Sequence, residues 1–158
     1  MRRRRRGFTL VELLVTAAIV AVLASVTLPL AELSVKRSRE TELRAALRAI
    51  RDAIDAYKQA ADAGRIARKA GENGYPPSLE ALVNGVEDQR SVNKASIYFM
   101  RRIPREPLQP DASLPAAQTW GLRSYDSAPD DPREGRDVFD VYSRSERIGL
   151  NGIEYRQW

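Results

Sequence analysis

The sequence predicts an α+β fold in which one long N-terminal helix, apolar in its first half and amphipathic in its second, packs on a small antiparallel sheet. Three observations carry that expectation. Residues 8–30 form a 23-residue run in which Glu12 is the only ionisable side chain. Leu43, Leu47, Ile50, Ile54, Tyr57 and Ala61 then recur at alternating steps of four and three, the spacing of one helix stripe. Strand-forming residues gather only late, at 120–125 and 138–143, bounded by polar and turn-forming clusters.

A basic leader precedes the helix. The chain of 158 residues carries 26 Lys+Arg against 21 Asp+Glu, and five of the basic residues are the consecutive arginines 2–6. Removal of residues 1–7 leaves 21 basic and 21 acidic side chains. The basic pI therefore belongs to the leader and does not by itself argue for a nucleic-acid partner. The chain has no Cys and no His. That excludes disulfides, thiolate nucleophiles, zinc-thiolate centres and imidazole bases, and with them hydrolases of the Ser/His/Asp or Cys/His type. Absence of cysteine leaves the redox compartment open.

As a helix, residues 8–30 would span roughly 34 Å, enough for the ~30 Å hydrocarbon core of a bilayer. The arginine block marks the flank expected to stay in the cytoplasm, so the rest of the chain should lie outside. Three readings of this segment stand open. A cleaved secretory signal has an apolar region of about 7–15 residues and a small-residue cleavage site, whereas this run is longer and holds a carboxylate; Arg5-Arg6-Gly7-Phe8 also resembles a twin-arginine signal. An uncleaved anchor is the plain structural reading. The third starts from Glu12. An acid at the centre of a membrane helix costs ~2.5–3.5 kcal/mol, less near an end, and such residues usually have a partner. No Lys or Arg lies within the run. A cut between Gly7 and Phe8 would create an α-ammonium at that depth and make Glu12 the fifth residue of the mature chain.

Beyond Pro29 the composition turns charged while the helical pattern persists, with Arg44, Arg48, Arg51, Asp52, Asp55 and Lys58 between the stripe positions. Pro29 lacks an N–H for the i→i−4 bond, so a kink or local unwinding is expected there. Otherwise the helix should run over 8–63, with Gly64 as its stop. The stripe is too short for a strong coiled coil and reads as a face packed on the chain's own C-terminal part.

Glycines and prolines mark 64–77 as a loop, and Ser78 is placed to cap a short helix at 79–83. Residues 108–119 read as a surface loop. The six carboxylates Asp126, Asp130, Asp131, Glu134, Asp137 and Asp140 match no EF-hand spacing and have Arg133 and Arg136 among them, as in a solvated loop. Arg101, Arg102 and Arg105, beside Tyr98 and Phe99, read as a turn that anchors the 108–119 loop, and no nucleic acid is expected. No nucleophile–base pair, phosphate-cradling loop or metal-ligand cluster appears, so the chain is not expected to be an enzyme. The expected organisation is 1–7 leader, 8–30 membrane or filament-core helix, 31–63 amphipathic stem, and 64–158 head.

Gly7-Phe8-Thr9-Leu10-Val11-Glu12 resembles the leader junction of type IV pilins and type II secretion pseudopilins. Gly74-Tyr75-Pro76-Pro77-Ser78-Leu79-Glu80-Ala81-Leu82, Ile103-Pro104-Arg105-Glu106-Pro107 with Trp120-Gly121, Phe139-Asp140-Val141-Tyr142-Ser143, and the final Trp158 are similar to segments of the major pseudopilin. The resemblance implies a type IV pilin-like fold, cleavage after Gly7 by a prepilin peptidase, and N-methylation of Phe8. It also implies pairing of Glu12 with the amine of a neighbouring subunit, and a helix loosened at Pro29, mature position 22. Implied partners are other copies of the chain, minor pseudopilins, the inner-membrane assembly platform, and membrane lipid before assembly. The implied location is the inner membrane, with a cytoplasmic N-terminus and a periplasmic head. Major pseudopilins also bind calcium in the loop between the last Ser and the final Trp, which makes Ser143, Glu146 and Glu154 the candidate ligands here, although Ile153 stands where a second acid would; no other cofactor is implied. The expected function is that of a pseudopilus subunit in type II secretion. The alternatives are a type IV pilus subunit and an anchored envelope binding domain that never polymerises.

Overall fold

The computed structural model describes residues 8–158, with side chains described at every position but 26–28. Helix α1, Leu10–Asp62, is followed by a short helix α2, Ala81–Asn84, and by four short strands: β1 (Val86–Glu87), β2 (Ser96–Ile97), β3 (Trp120–Arg123) and β4 (Asp140–Ser143). Two compact units divide the chain, Met1–Ser38 and Arg39–Trp158. The long helix and the α+β class are as the sequence predicts.

In the first unit the described residues are helical from Leu10 onward, with Thr9 in the cap position. Leu10, Val11, Leu13, Leu14, Val15, Ile19, Val20, Val22 and Leu23 are all exposed. The window has a mean hydropathy of 2.4, with none of it buried within the protein. The helix continues through Pro29. The unwinding expected at Pro29 is thus absent: proline removes one N–H, and the remaining bonds of the ladder hold the helical register.

In the second unit every residue of the predicted stripe, Leu43, Leu47, Ile50, Ile54, Tyr57 and Ala61, is buried. The helix ends in a Schellman arrangement. Arg65 N–H donates to Ala60 O at 2.9 Å, Gly64 N–H donates to Ala61 O at 3.0 Å, and Gly64 has φ +68°, a conformation glycine adopts without a Cβ penalty. The stripe packs with Leu79, Leu82, Leu108, Trp120, Val138, Val141 and Tyr155 into one core. Full burial of each large side chain stabilises by roughly 1.5–3 kcal/mol, which is why the amphipathic pattern dictates the packing.

The strands form two separate antiparallel pairs, β1 with β2 and β3 with β4. In the second pair Trp120 faces Ser143 and Gly121 faces Tyr142. A Cβ on Gly121 would lie 2.4 Å from the Tyr142 ring, so that ring occupies the space a side chain would need. Both predicted strands are shortened. Ser124 N–H turns to Arg133 O and Val138 N–H to Pro76 O, which takes those residues out of the ladder. The β1–β2 hairpin has no sequence signal beyond two residues per strand.

Ser78 does not cap α2: the cap position is Glu80, without a side-chain cap bond, because the chain makes turns through Ser78 O and Leu79 O first. The 108–119 segment is a surface loop only in its middle. Leu108 and Thr119 are buried at its two ends, and Arg105 staples it by donating to Leu114 O at 2.6 Å and to Asp111 O.

Candidate functional site

Arg2 to Arg6 and Gly7, hence the junction at which cleavage is expected, lie outside the described residues. The segment that follows is described in detail. Phe8 is 77% exposed. Thr9 is the N-cap of α1 and Glu12 its third helical residue, and the two side chains form a reciprocal capping box. Glu12 N–H donates to Thr9 Oγ1 at 3.2 Å, Thr9 N–H donates to Glu12 Oε2 at 3.0 Å, and the Thr9 hydroxyl donates to the same oxygen at 3.1 Å. The lone acid of the apolar run is therefore folded back onto the first turn of its own helix, where the positive end of the helix dipole favours an anion. Sequence reasoning found Glu12 but missed Thr9 as its partner. The signal was the Thr-x-x-Glu spacing itself.

The box does not depend on whether the expected cleavage takes place. Cleavage between Gly7 and Phe8 frees only the nitrogen of Phe8, while the Thr9 amide that donates to Glu12 stays a peptide N–H. The new α-ammonium would stand one residue from the cap. Thr16 adds a further bond to the first turns, its hydroxyl reaching Glu12 O at 2.8 Å and Leu13 O at 3.0 Å.

Three side-chain clasps hold the second unit together. The buried Glu40, 2% exposed, accepts Leu150 N–H at 2.7 Å and the Tyr155 hydroxyl at 2.9 Å, with the Arg44 guanidinium at 3.8 Å. Burial, and then the Glu40 carboxylate beside it, push the Tyr155 phenol up to about 12. Arg51 donates to Asp140 Oδ1 at 2.8 Å, Val141 O at 3.1 Å and Trp158 O at 3.0 Å. Glu106, buried, accepts the Ser143 hydroxyl at 3.0 Å and Leu108 N–H at 2.9 Å. Desolvation raises the Glu106 carboxyl above its usual range, partly offset by those bonds. Glu40 and Glu106 were not singled out from sequence. Glu40 does sit three residues before Leu43, on the buried stripe, which is the signal that could have found it.

The three candidate calcium ligands stand in different surroundings. Ser143 is buried and its hydroxyl is committed to Glu106, while Glu146 and Glu154 are exposed. Among the described residues no group of three or more His, Cys, Asp or Glu side chains could hold a metal ion. In the 126–140 segment Asp126, Asp131 and Glu134 pair with Arg136, Arg133 and Arg144. Asp137 and Asp140 instead take structural bonds: Asp137 from Asn73 and Tyr125 N–H, Asp140 from Arg51 and Arg123.

Comparison of the whole chain finds no similar curated protein and no similar solved structure. Residues 2–28, which span the arginine leader, the expected junction and the Thr9–Glu12 box, match the prokaryotic N-terminal methylation motif, a match that supports a prepilin-like subunit of the type IV pilin superfamily with a membrane-anchoring apolar helix.

Proposed function

We propose that the chain is a structural subunit of the periplasmic pseudopilus that drives type II protein secretion, most like its major subunit. One observation carries the reading: a single carboxylate, held at the helix N-terminus by Thr9, opens an exposed apolar helix inside a methylation motif. The arginine leader keeps the N-terminus cytoplasmic. Prepilin peptidase cuts after Gly7 and methylates Phe8. Glu12 then attracts the α-ammonium of a neighbouring subunit, and the apolar helices bundle into a filament core with the heads outside. Growth of the filament pushes folded exoproteins through an outer-membrane channel. Secretion is favoured over a pilus output by the Gly74–Leu82 and Trp120-Gly121 segments and the lack of any Cys for a disulfide pair.

Intact-mass analysis of protein from the native host tests the processing. The expected chain lacks residues 1–7 and carries one added methyl on Phe8; a leader still attached would defeat the proposal. Deletion of the gene separates the outputs. Exoproteins retained in the periplasm fit secretion, whereas lost surface motility or adhesion with normal secretion would move the chain to a pilus.

A further inference from the structure

Loop 144–153 of the second unit displays three aliphatic side chains that are about half exposed. Ile148, Leu150 and Ile153 are 57%, 42% and 45% exposed. The loop is closed on itself by backbone bonds. Gly149 N–H donates to Ile153 O at 2.8 Å, Gly152 N–H to Gly149 O at 3.1 Å, and Tyr155 N–H to Arg147 O at 3.1 Å. At its centre Leu150 N–H is pinned to the buried Glu40 carboxylate.

Beside this loop lies a cleft lined by Arg39, Arg144 and Arg147, with Gln109, Ser145 and the buried Glu106. Arg144 is paired with Glu134 at 3.1 Å. Arg147 donates to two neutral oxygens, Ser145 Oγ and Leu108 O, each at 3.4 Å, and its charge also acts on the Glu106 carboxylate of the same cleft. Among the described residues no carboxylate forms an ion pair with Arg39 or Arg147. The loop's own acids, Glu146 and Glu154, do not line the cleft. Trp158 lies against Gly149 and buries its indole N–H without an acceptor, a donor that an oxygen-rich layer seated over the loop would satisfy after a small shift.

Charge and apolar character together select the occupant. Guanidinium groups bind phosphate oxygens bidentately, and aliphatic side chains flanked by such groups partition into the interfacial layer of a bilayer.

We propose that loop 144–153 and Arg39 form a membrane-surface contact: Arg39 and Arg147 take the phosphate of an anionic phospholipid, and Ile148, Leu150 and Ile153 enter the headgroup–acyl boundary. The contact rests on the membrane-anchor reading and holds the head against the bilayer before assembly. Extraction into a filament then has to break it.

The test uses the full chain in nanodiscs carrying one copy. Since the chain has no Cys, Glu154→Cys can be labelled uniquely with a polarity-sensitive fluorophore. The expected result is a blue shift and quenching by headgroup-depth nitroxide lipid when phosphatidylglycerol is added to phosphatidylcholine, both lost in Arg39→Gln/Arg147→Gln. Arg39→Gln alone, at an exposed position, keeps the Arg147–Leu108 bond and should lose part of the shift with an unchanged melting temperature. Identical emission in both lipids would overturn the contact. A shift reproduced by inorganic phosphate in phosphatidylcholine discs would make it a free-anion site, and a shift seen only in discs with two copies would make it a subunit interface; either outcome overturns the lipid assignment. Failure of the chain to enter discs at all would remove the anchor reading, whereas insertion without the shift removes only the contact.

Discussion

The Tyr155 hydroxyl donates to Glu40 at 2.9 Å across 115 positions of sequence, closing the C-terminal segment onto the first buried turn of the amphipathic helix. Both groups are shielded from water, so a lost bond is not replaced by solvent. Tyr155→Phe should destabilise the detergent-solubilised chain by about 1–3 kcal/mol, read as a lower melting temperature. The pH dependence follows from linkage. The phenol titrates near 12 in the fold and near 10 when unfolded, so between those values the folded state holds a proton that the unfolded state has released. The contribution is therefore complete below pH 10 and is lost as pH rises through about 12. Melting curves across this range should fall more steeply for the native chain than for Tyr155→Phe.

Glu106 runs the other way from an ordinary ion-paired acid. Its carboxyl is raised by burial, so the fold binds a proton more readily than the unfolded chain does, and stability attributable to this group declines as pH rises through its shifted range. Glu106→Gln keeps one oxygen for Leu108 N–H, and its amide can donate to the Ser143 hydroxyl in place of the bond that hydroxyl donates now, without a charge to desolvate. It should match or exceed the native stability at neutral pH, and the native chain should recover ground as pH falls through the raised range of the Glu106 carboxyl. Glu106→Ala should instead cost about 1–3 kcal/mol, since it leaves both donors unmet. Denaturant titrations of the three proteins at two pH values measure these differences.

Arg51 holds Asp140, Val141 O and Trp158 O with one guanidinium. Lysine can supply a point charge to Asp140 but not the fork that reaches all three acceptors. Arg51→Lys is expected to lower stability by about 1–2 kcal/mol and to speed amide exchange at 155–158, while exchange in α2 stays unchanged.

Clasps made of side chains leave little for calcium to do in this loop. With Ser143 bonded to Glu106 and no convergent acids among the described residues, the melting temperature should be the same with excess calcium and with chelator. A rise of several degrees with calcium, absent in Glu146→Gln/Glu154→Gln, would contradict this.

What could be read from sequence was whatever depended on periodicity. The stripe from Leu43 to Ala61, the stop at Gly64 and the Trp120 and Val141 strands all follow from local pattern, and local pattern decides which face can be buried. Strand ends were misjudged because Ser124 and Val138 look strand-like but spend their N–H groups on Arg133 O and Pro76 O, partners that only the tertiary fold supplies. The clasps were missed for the same reason: nothing near Glu40 in sequence announces Tyr155. At the N-terminus Glu12 was conspicuous as a lone acid, yet its partner Thr9 was passed over as one more small residue in an apolar run.

That partner makes the last prediction. Thr9→Val keeps the shape of the side chain and removes both the oxygen that receives Glu12 N–H and the hydroxyl that donates to Glu12 Oε2. Thr9→Ser keeps them. Loss of an N-cap side chain costs about 0.5–2 kcal/mol of helix stability, and the Glu12 carboxylate is then held at the helix end by the N–H of residue 9 alone. Membrane insertion, driven by the apolar run, should be equal in all three proteins. Filament incorporation, scored by cross-linking between copies, should fall well below the native level in Thr9→Val and stay near it in Thr9→Ser, with Glu12→Leu at background. Equal incorporation of the valine and serine variants would show that Glu12 reaches its neighbour without the box, and the positioning role of Thr9 would be lost.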